Sequence, residues 1–215
     1  IVDRETILDR QREEWFQKRA GLFTCSRFGD LTKPGRGKDE PWSQTAWTYM
    51  YQVAAERCGS YQFEHSSAPT RHGVEFEPQA ITEYHVKHPP NGKCISGVDA
   101  WCQLNAFTGG TPDALLGEDG CLEVKCPYTP QEHMRYVHEG KVPDKYHWQV
   151  IGHLLVSQRQ WCDFVSFDPR IHGPGRMLVV RTNRSDVETQ IEWLWQRLVA
   201  ANIVVQDIVE AAERC

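Results

Sequence analysis

Thr111-Pro112-Asp113-Ala114-Leu115-Leu116-Gly117-Glu118-Asp119-Gly120-Cys121-Leu122-Glu123-Val124-Lys125-Cys126 is the stretch whose reading decides the fold. Ala114-Leu115 and Cys121 to Cys126 are short apolar-polar segments, and the Asp119-Gly120 pair between them is a hairpin signal. A loop over residues 116–120 sets Asp113 opposite Glu123, on the same face and a few ångströms away. Glu123 and Lys125 are two apart on a strand, so they project to that same face. The pattern is PD-x(n)-(D/E)-x-K. Two carboxylates held side by side repel, and a divalent cation removes the penalty; hard oxygen ligands suit Mg²⁺ or Mn²⁺. Lys125 beside such an ion would orient a water and stabilise charge developing on a phosphate. Metal-assisted phosphodiester hydrolysis is the natural use of the set. The plainer alternative is a solvated strand face carrying a chance PD…ExK.

Outward from the hairpin the period changes. Thr129-Pro130-Gln131-Glu132 supplies an N-cap, an N1 proline and a capping-box glutamate, which start a helix at once. Another helix is expected from about Asp144 to Gln158, then strands over Trp161 to Phe167 and Met177 to Thr182. Ser185-Asp186-Val187-Glu188 reads as a second capping box. It leads into a helix with Val187, Ile191, Leu194, Trp195 and Leu198 on its apolar stripe. Upstream, residues 9–20 read as an amphipathic helix ended by Gly21. Trp42 to Arg57 reads as a second helix opened by Pro41, and residues 73–87 as a third that begins near Gly73 and Pro78. Lys33 to Glu40 is a basic loop. The sum is an α/β architecture: a central mixed β-sheet flanked by helices, in one domain over residues 1–215.

Composition narrows the class. Twenty-four Lys plus Arg against 29 Asp plus Glu give a net charge of −5. Coating of duplex DNA by a basic surface is therefore not expected, and any nucleic acid would be held in a local channel. No apolar run approaches the roughly 20 residues that span a bilayer, and the first residues do not read as a signal peptide. A soluble, cytoplasmic protein with no membrane contact is expected. The eight cysteines contain no C-x-x-C pair, so they read as free thiols rather than a zinc or redox site.

Beyond these readings, the sequence resembles the lambda exonuclease / YqaJ-type viral recombinases of the PD-(D/E)xK nuclease superfamily, from Trp15 to about Arg170. The resemblance rests on Trp15 with Lys18-Arg19-Ala20-Gly21 and Thr24-Cys25-Ser26, and on Arg71-His72-Gly73 with Glu77. Thr111-Pro112-Asp113, Leu122-Glu123-Val124-Lys125-Cys126-Pro127 and Tyr146-His147-Trp148-Gln149-Val150 follow in order. Phe164 to Arg170, ending Asp168-Pro169-Arg170, is a weaker sixth match.

The resemblance implies a restriction-endonuclease-like core in which Asp113, Glu123 and the backbone carbonyl of Val124 bind the metal. Lys125 would position the attacking water. Glu77 would approach the metal from a helix, with Glu75 as its competitor, and Gln149 would hold the water or the metal shell. Arg19, Ser26 and Thr111 match positions that bind the 5′-phosphate of the strand being degraded. Away from the resemblance, Gln149 reads as a helix-surface amide and Arg19 as a helix C-terminal cation. Trp15 and Trp148 are expected to be packing residues. The implied activity is Mg²⁺-dependent 5′→3′ digestion of one strand of linear double-stranded DNA from its ends, Mn²⁺ substituting. It implies a ring-shaped homotrimer that leaves a 3′ overhang for a single-strand annealing protein, in a bacterial host or encoded by a phage or prophage. The alternatives are a PD-(D/E)xK endonuclease, which would cut closed circles, and a catalytically inert DNA-end-binding module.

Overall fold

The computed structural model describes residues 13–37, 39–60, 67–89 and 91–214. Among the described residues eight strands form two sheets. The larger has the order β2-β5-β6-β7-β8, made of β2 (Cys94–Ser96), β5 (Ala114–Leu116), β6 (Gly120–Lys125), β7 (Trp161–Phe167) and β8 (Met177–Asn183). Only β6 and β7 run parallel in it. The smaller sheet, β1-β4-β3, joins β1 (Phe23–Thr24), β4 (Thr108–Gly110) and β3 (Cys102–Asn105). The expected mixed sheet is present, with this second sheet beside it. Strands of two to four residues carry too little alternation to stand out in a sequence.

The hairpin has the expected register. Ala114 pairs with Leu122, Leu115 with Cys121 and Leu116 with Gly120, which sets Asp113 across from Glu123. The loop is shorter than residues 116–120, because Leu116 and Gly120 already pair and only 117–119 remain outside the strands. Gly117 has φ of +57°, and a Cβ there would lie 2.3 Å from Asn91 O, so the turn needs glycine. Arg159 closes the turn from outside: its Nη1 donates to the carbonyls of Leu116, Gly117 and Gly120 at 3.3, 2.6 and 3.0 Å.

The parallel pairing of β6 and β7 requires a crossover, supplied by α4 (Pro130–Glu139) and α5 (Asp144–Ser157). In α5 every residue from Val150 to Val156 is buried, as expected of a helix enclosed on all sides. It packs with α1 (Phe28–Leu31), α2 (Gln44–Arg57) and α6 (Glu188–Glu213) on the face of the large sheet that carries Cys121, Cys162 and Phe164. The other face, with Leu122, Val124 and Val165, is covered by α3 (Ala68–Lys87) through Ala80 and Tyr84. At about 25 cal/mol per Å² of apolar surface, both layers contribute to holding β6 in place.

Several boundaries differ from expectation. α3 starts at Ala68, where Ser67 Oγ accepts from Thr70 N–H, so Gly73 and Pro78 lie inside the helix rather than at its start. Neither capping box forms. Glu132 accepts from the Tyr136 hydroxyl and from Lys145 instead of turning back to Thr129. Arg184 to Asp186 make a 3₁₀ turn, after which α6 begins at Glu188. The stripe on α6 is as expected: Ile191, Leu194 and Leu198 are buried, with Val187 and Trp195 packed beside them. Residues 13–19 are helical; residues 9–12 of the expected first helix, and Lys38 of the basic loop, lie outside the described residues. The seven described cysteines are free thiols, Cys215 lying outside the described residues.

Candidate active site

Asp113 reaches the centre because the register brings it there. Its backbone N–H donates to Leu122 O at 2.9 Å, and its Oδ2 accepts from Val124 N–H at 2.6 Å, so the carboxylate lies against β6. Glu123 is fully buried one residue before Val124. Lys125, two residues on, forms an ion pair with Glu123 Oε1. The other oxygen, Oε2, is held by His153 Nε2 at 2.6 Å.

Electrostatics follow from this crowding. Burial and the neighbouring Glu123 and Glu77 push the Asp113 carboxyl well up. Burial opposes ionisation of Glu123 too, but Lys125 and His153 outweigh it and hold that carboxyl at about 2. Burial disfavours the Lys125 ammonium, yet Glu123 and Asp113 raise its pKa above the ordinary value. Glu77, reaching in from α3, is raised by burial and by Glu123, against Lys125. Three carboxylates thus share one ammonium, an arrangement that a divalent cation would relieve.

Glu77 and Glu75 stand differently in the site. Glu77 is half-buried and feels the charges of Glu123 and Lys125 directly, whereas Glu75 is exposed on the cavity wall. Gln149 lines the same cavity from α5, and His153 follows it by four residues on the same face. Among the described residues no three His, Cys, Asp or Glu side chains form a ready cage for a metal ion. Two carboxylates side by side nevertheless fit the oxygen chemistry of a hard divalent cation, with the remaining positions open to water.

A second group of polar residues opens onto the same cavity, of about 930 Å³. Arg19 Nη2 donates to Thr24 Oγ1 at 3.2 Å and to Ser26 Oγ at 3.3 Å. Trp15 Nε1 donates to Thr111 Oγ1 at 3.0 Å, and the Arg19 guanidinium stacks 4.0 Å from the centroid of the Trp15 ring. Arg19, Ser26 and Thr111 are therefore together, with Thr111 two residues from Asp113. Trp148 packs against Trp193 and the core, as expected. Trp15 does more than pack, because its ring and its N–H both engage pocket residues. His153, Thr24 and the role of Trp15 were not apparent from the sequence. The one available signal was the four-residue spacing of His153 from Gln149.

Sheet order, flanking helices and a carboxylate hairpin define the PD-(D/E)xK nuclease fold. Over residues 14–160 the sequence matches the YqaJ-like viral recombinase domain, and the chain belongs to that family. The structure is similar to an alkaline exonuclease (LHK-Exo) from Laribacter hongkongensis, at 27% identity and a TM-score of 0.82, covering 94% of this chain and 96% of that one. A second structure of LHK-Exo, in complex with dAMP, gives 29% identity and a TM-score of 0.77 over the same shares. A phage related exonuclease from Haemophilus somnus 129PT shares the fold at 17% identity and a TM-score of 0.66, covering 89% and 96%. No curated protein matches the chain. Among the described residues no helix is long and apolar enough to cross a membrane.

Proposed function

We propose that the protein is a Mg²⁺-dependent 5′→3′ exonuclease that degrades one strand of linear double-stranded DNA from a 5′-phosphorylated end. The observation that carries this reading is a cavity lined by Arg19, Ser26 and Thr111 and also by Asp113, the carboxylate that lies against β6 beside Glu123 and Lys125. An anion held by Arg19 would lie in the same cavity as the Asp113 carboxylate. The likeness to an alkaline exonuclease, one structure of which holds dAMP, supports a mononucleotide as product.

Asp113, Glu123 and the Val124 carbonyl would hold the cation, whose chemistry is to polarise the phosphoryl oxygens and neutralise developing charge. Lys125 positions the attacking water, Gln149 fixes its orientation, and Glu77 approaches the site from α3. The water oxygen bonds to phosphorus, the P–O3′ bond breaks, and the leaving O3′ takes a proton. A guanidinium forks onto phosphate oxygens and hydroxyls donate to them, which suits Arg19, Ser26 and Thr111 to the terminal 5′-phosphate. Each cut leaves a new 5′-phosphate on the shortened strand, so the product of one cycle is the anchor of the next. The remaining 3′ overhang would pass to a single-strand annealing protein. A ring-shaped homotrimer of one-domain subunits in the bacterial cytoplasm fits this use, with Mn²⁺ able to replace Mg²⁺.

The test is nucleotide release from linear duplexes bearing 5′-phosphate or 5′-hydroxyl ends, beside a closed circle, with Mg²⁺ or with EDTA. Metal-dependent release from the phosphorylated linear duplex, with the circle intact, is expected. Cutting of the circle would replace this reading with an endonuclease. Binding without hydrolysis would make the protein a DNA-end module.

A further inference from the structure

Helix α5 meets both partners of the central ion pair. Tyr146, Gln149 and His153 recur at three- and four-residue spacing, so they form one stripe along the helix. His153 Nε2 lies 2.6 Å from Glu123 Oε2, and two turns earlier the ring of Tyr146 faces Lys125, whose Nζ is 5.2 Å from its centroid. That ring is not free to swing. It stacks on Phe164, with centroids 5.5 Å apart and planes 29° from parallel, and meets Tyr136 edge-on at 6.4 Å. Phe164 and Tyr136 are fully buried, and Phe164 is the β7 partner of Glu123 in the parallel pairing. Core packing therefore sets the ring in register with the carboxylate and its ammonium. Lys145 approaches the same ring, 4.7 Å from the centroid, but is tied to Glu132.

We propose that Tyr146 is the positioning residue of Lys125: its ring keeps the ammonium in place when Glu123 is engaged by a divalent cation. The inference deepens the nuclease reading and rests on it. In the protein alone, Lys125 has Glu123 as its ion-pair partner. A carboxylate shared with a divalent cation attracts an ammonium less, and the two positive charges repel. An aromatic face attracts a cation through its quadrupole, and does so without competing for the metal as another carboxylate would. The ammonium can thus stay beside the attacking water rather than swing out to solvent, toward which the Lys125 side chain is already 26% exposed. The ring, rather than the hydroxyl, is the working part of Tyr146, and it acts only through Lys125.

The experiment is a double-mutant cycle on Mn²⁺ affinity, read by titration calorimetry without DNA, with turnover measured beside it. Tyr146→Leu is expected to weaken Mn²⁺ binding about three- to tenfold, because the displaced ammonium has lost its resting place. In the Lys125→Met background the same change should leave the affinity as it is, since no ammonium remains to be held. On a 5′-phosphorylated linear duplex with saturating Mg²⁺, Tyr146→Leu should lower kcat about tenfold with KM unchanged. Tyr146→Phe, which keeps the ring, should restore both quantities. An equal loss of affinity in the two backgrounds would show that Tyr146 only packs, and would overturn the inference. Unchanged affinity and kcat in Tyr146→Leu would do the same. So would a Tyr146→Phe variant as poor as Tyr146→Leu, which would give the role to the hydroxyl. A parent that binds no Mn²⁺ and releases no nucleotide would overturn the nuclease reading itself, a different result from any of these.

If Tyr146→Leu fails to fold, phenylalanine and its difluorinated and trifluorinated forms in place of Tyr146 keep the shape of the ring while withdrawing charge from its face. Mn²⁺ affinity and kcat should then fall stepwise with fluorination. Values independent of fluorination would overturn the inference.

Discussion

Replacing Lys125 by methionine removes the only ammonium among three acidic side chains while keeping most of the side-chain volume. Glu123 is fully buried and would retain His153 alone as a partner, with Asp113 and Glu77 still close enough to act on it. Removing one partner of a buried charge pair costs about 3–5 kcal/mol. His153 stays on Oε2, and a carboxyl can take up a proton, so the lower end, about 3 kcal/mol, applies here. For a chain of this size 1 kcal/mol moves Tm by about 2–4 °C, which gives a loss of about 6–12 °C in EDTA. Mg²⁺ at a hundred times its Kd returns about 2.7 kcal/mol. The cation no longer competes with an ammonium, so Mg²⁺ should stabilise the variant more than the parent even though hydrolysis is abolished. Scanning calorimetry at pH 8, with EDTA and then with Mg²⁺, reads both effects. Equal melting of parent and variant in EDTA would refute the reasoning, and so would a larger Mg²⁺ shift in the parent.

Other outcomes follow from single contacts. His153→Ala removes the donor to Glu123 Oε2 and should weaken Mn²⁺ binding about tenfold by titration calorimetry, as loss of an outer-shell partner does; an unchanged isotherm would show that Glu123 needs no such support. Gly152→Ala places a Cβ 2.5 Å from the Phe28 ring inside buried α5, so a loss of about 1–3 kcal/mol is expected in urea unfolding. Asp168 is fully buried and bonded to Arg170 by Nε and Nη2, both at 2.8 Å. Burial works against its carboxylate, but Arg170 outweighs burial and holds the carboxyl below the usual range. Its contribution is therefore complete above the unfolded pKa, about 3.9, and is lost as pH falls through the lower folded value. Asp168→Asn should cost about 1–2 kcal/mol at pH 7 and little near pH 2, read from urea curves at both.

The legible parts of this molecule are those where local pattern and tertiary use agree. The Asp113 to Lys125 hairpin combines a two-residue period with an Asp-Gly turn, and its register alone brings the carboxylates together. The α6 stripe is equally plain, since Ile191, Leu194 and Leu198 recur at helical spacing and meet the core. The obscure parts depend on distant partners. Ser67 caps α3 well before Gly73 and Pro78, two residues that locally read as a start, because packing of Ala80 and Tyr84 on the sheet outweighs their cost. Glu132 had the spacing for a capping box, but Tyr136 and Lys145 were better partners once α4 and α5 had packed. His153 sits in a run of apolar residues, and its value lies in Glu123, thirty positions earlier. Among the site residues the family resemblance picked out Arg19, Ser26 and Thr111, whereas the link between them through Trp15 exists only in three dimensions.

The turn between β5 and β6 is closed by Arg159 rather than by its own side chains. A one-residue slip of that pairing would carry Glu123 and Lys125 to the opposite face, away from Asp113. The alignment of the chemical groups is thus guarded at the far end of the hairpin, by a residue that touches none of them. Exposed Glu118 and Asp119 at the tip are free to drift in sequence while Arg159 holds the carbonyls around them. Loss of Arg159 would then appear as a mixture of aligned and misaligned molecules: a fall in the active fraction, with each surviving molecule turning over at the normal rate.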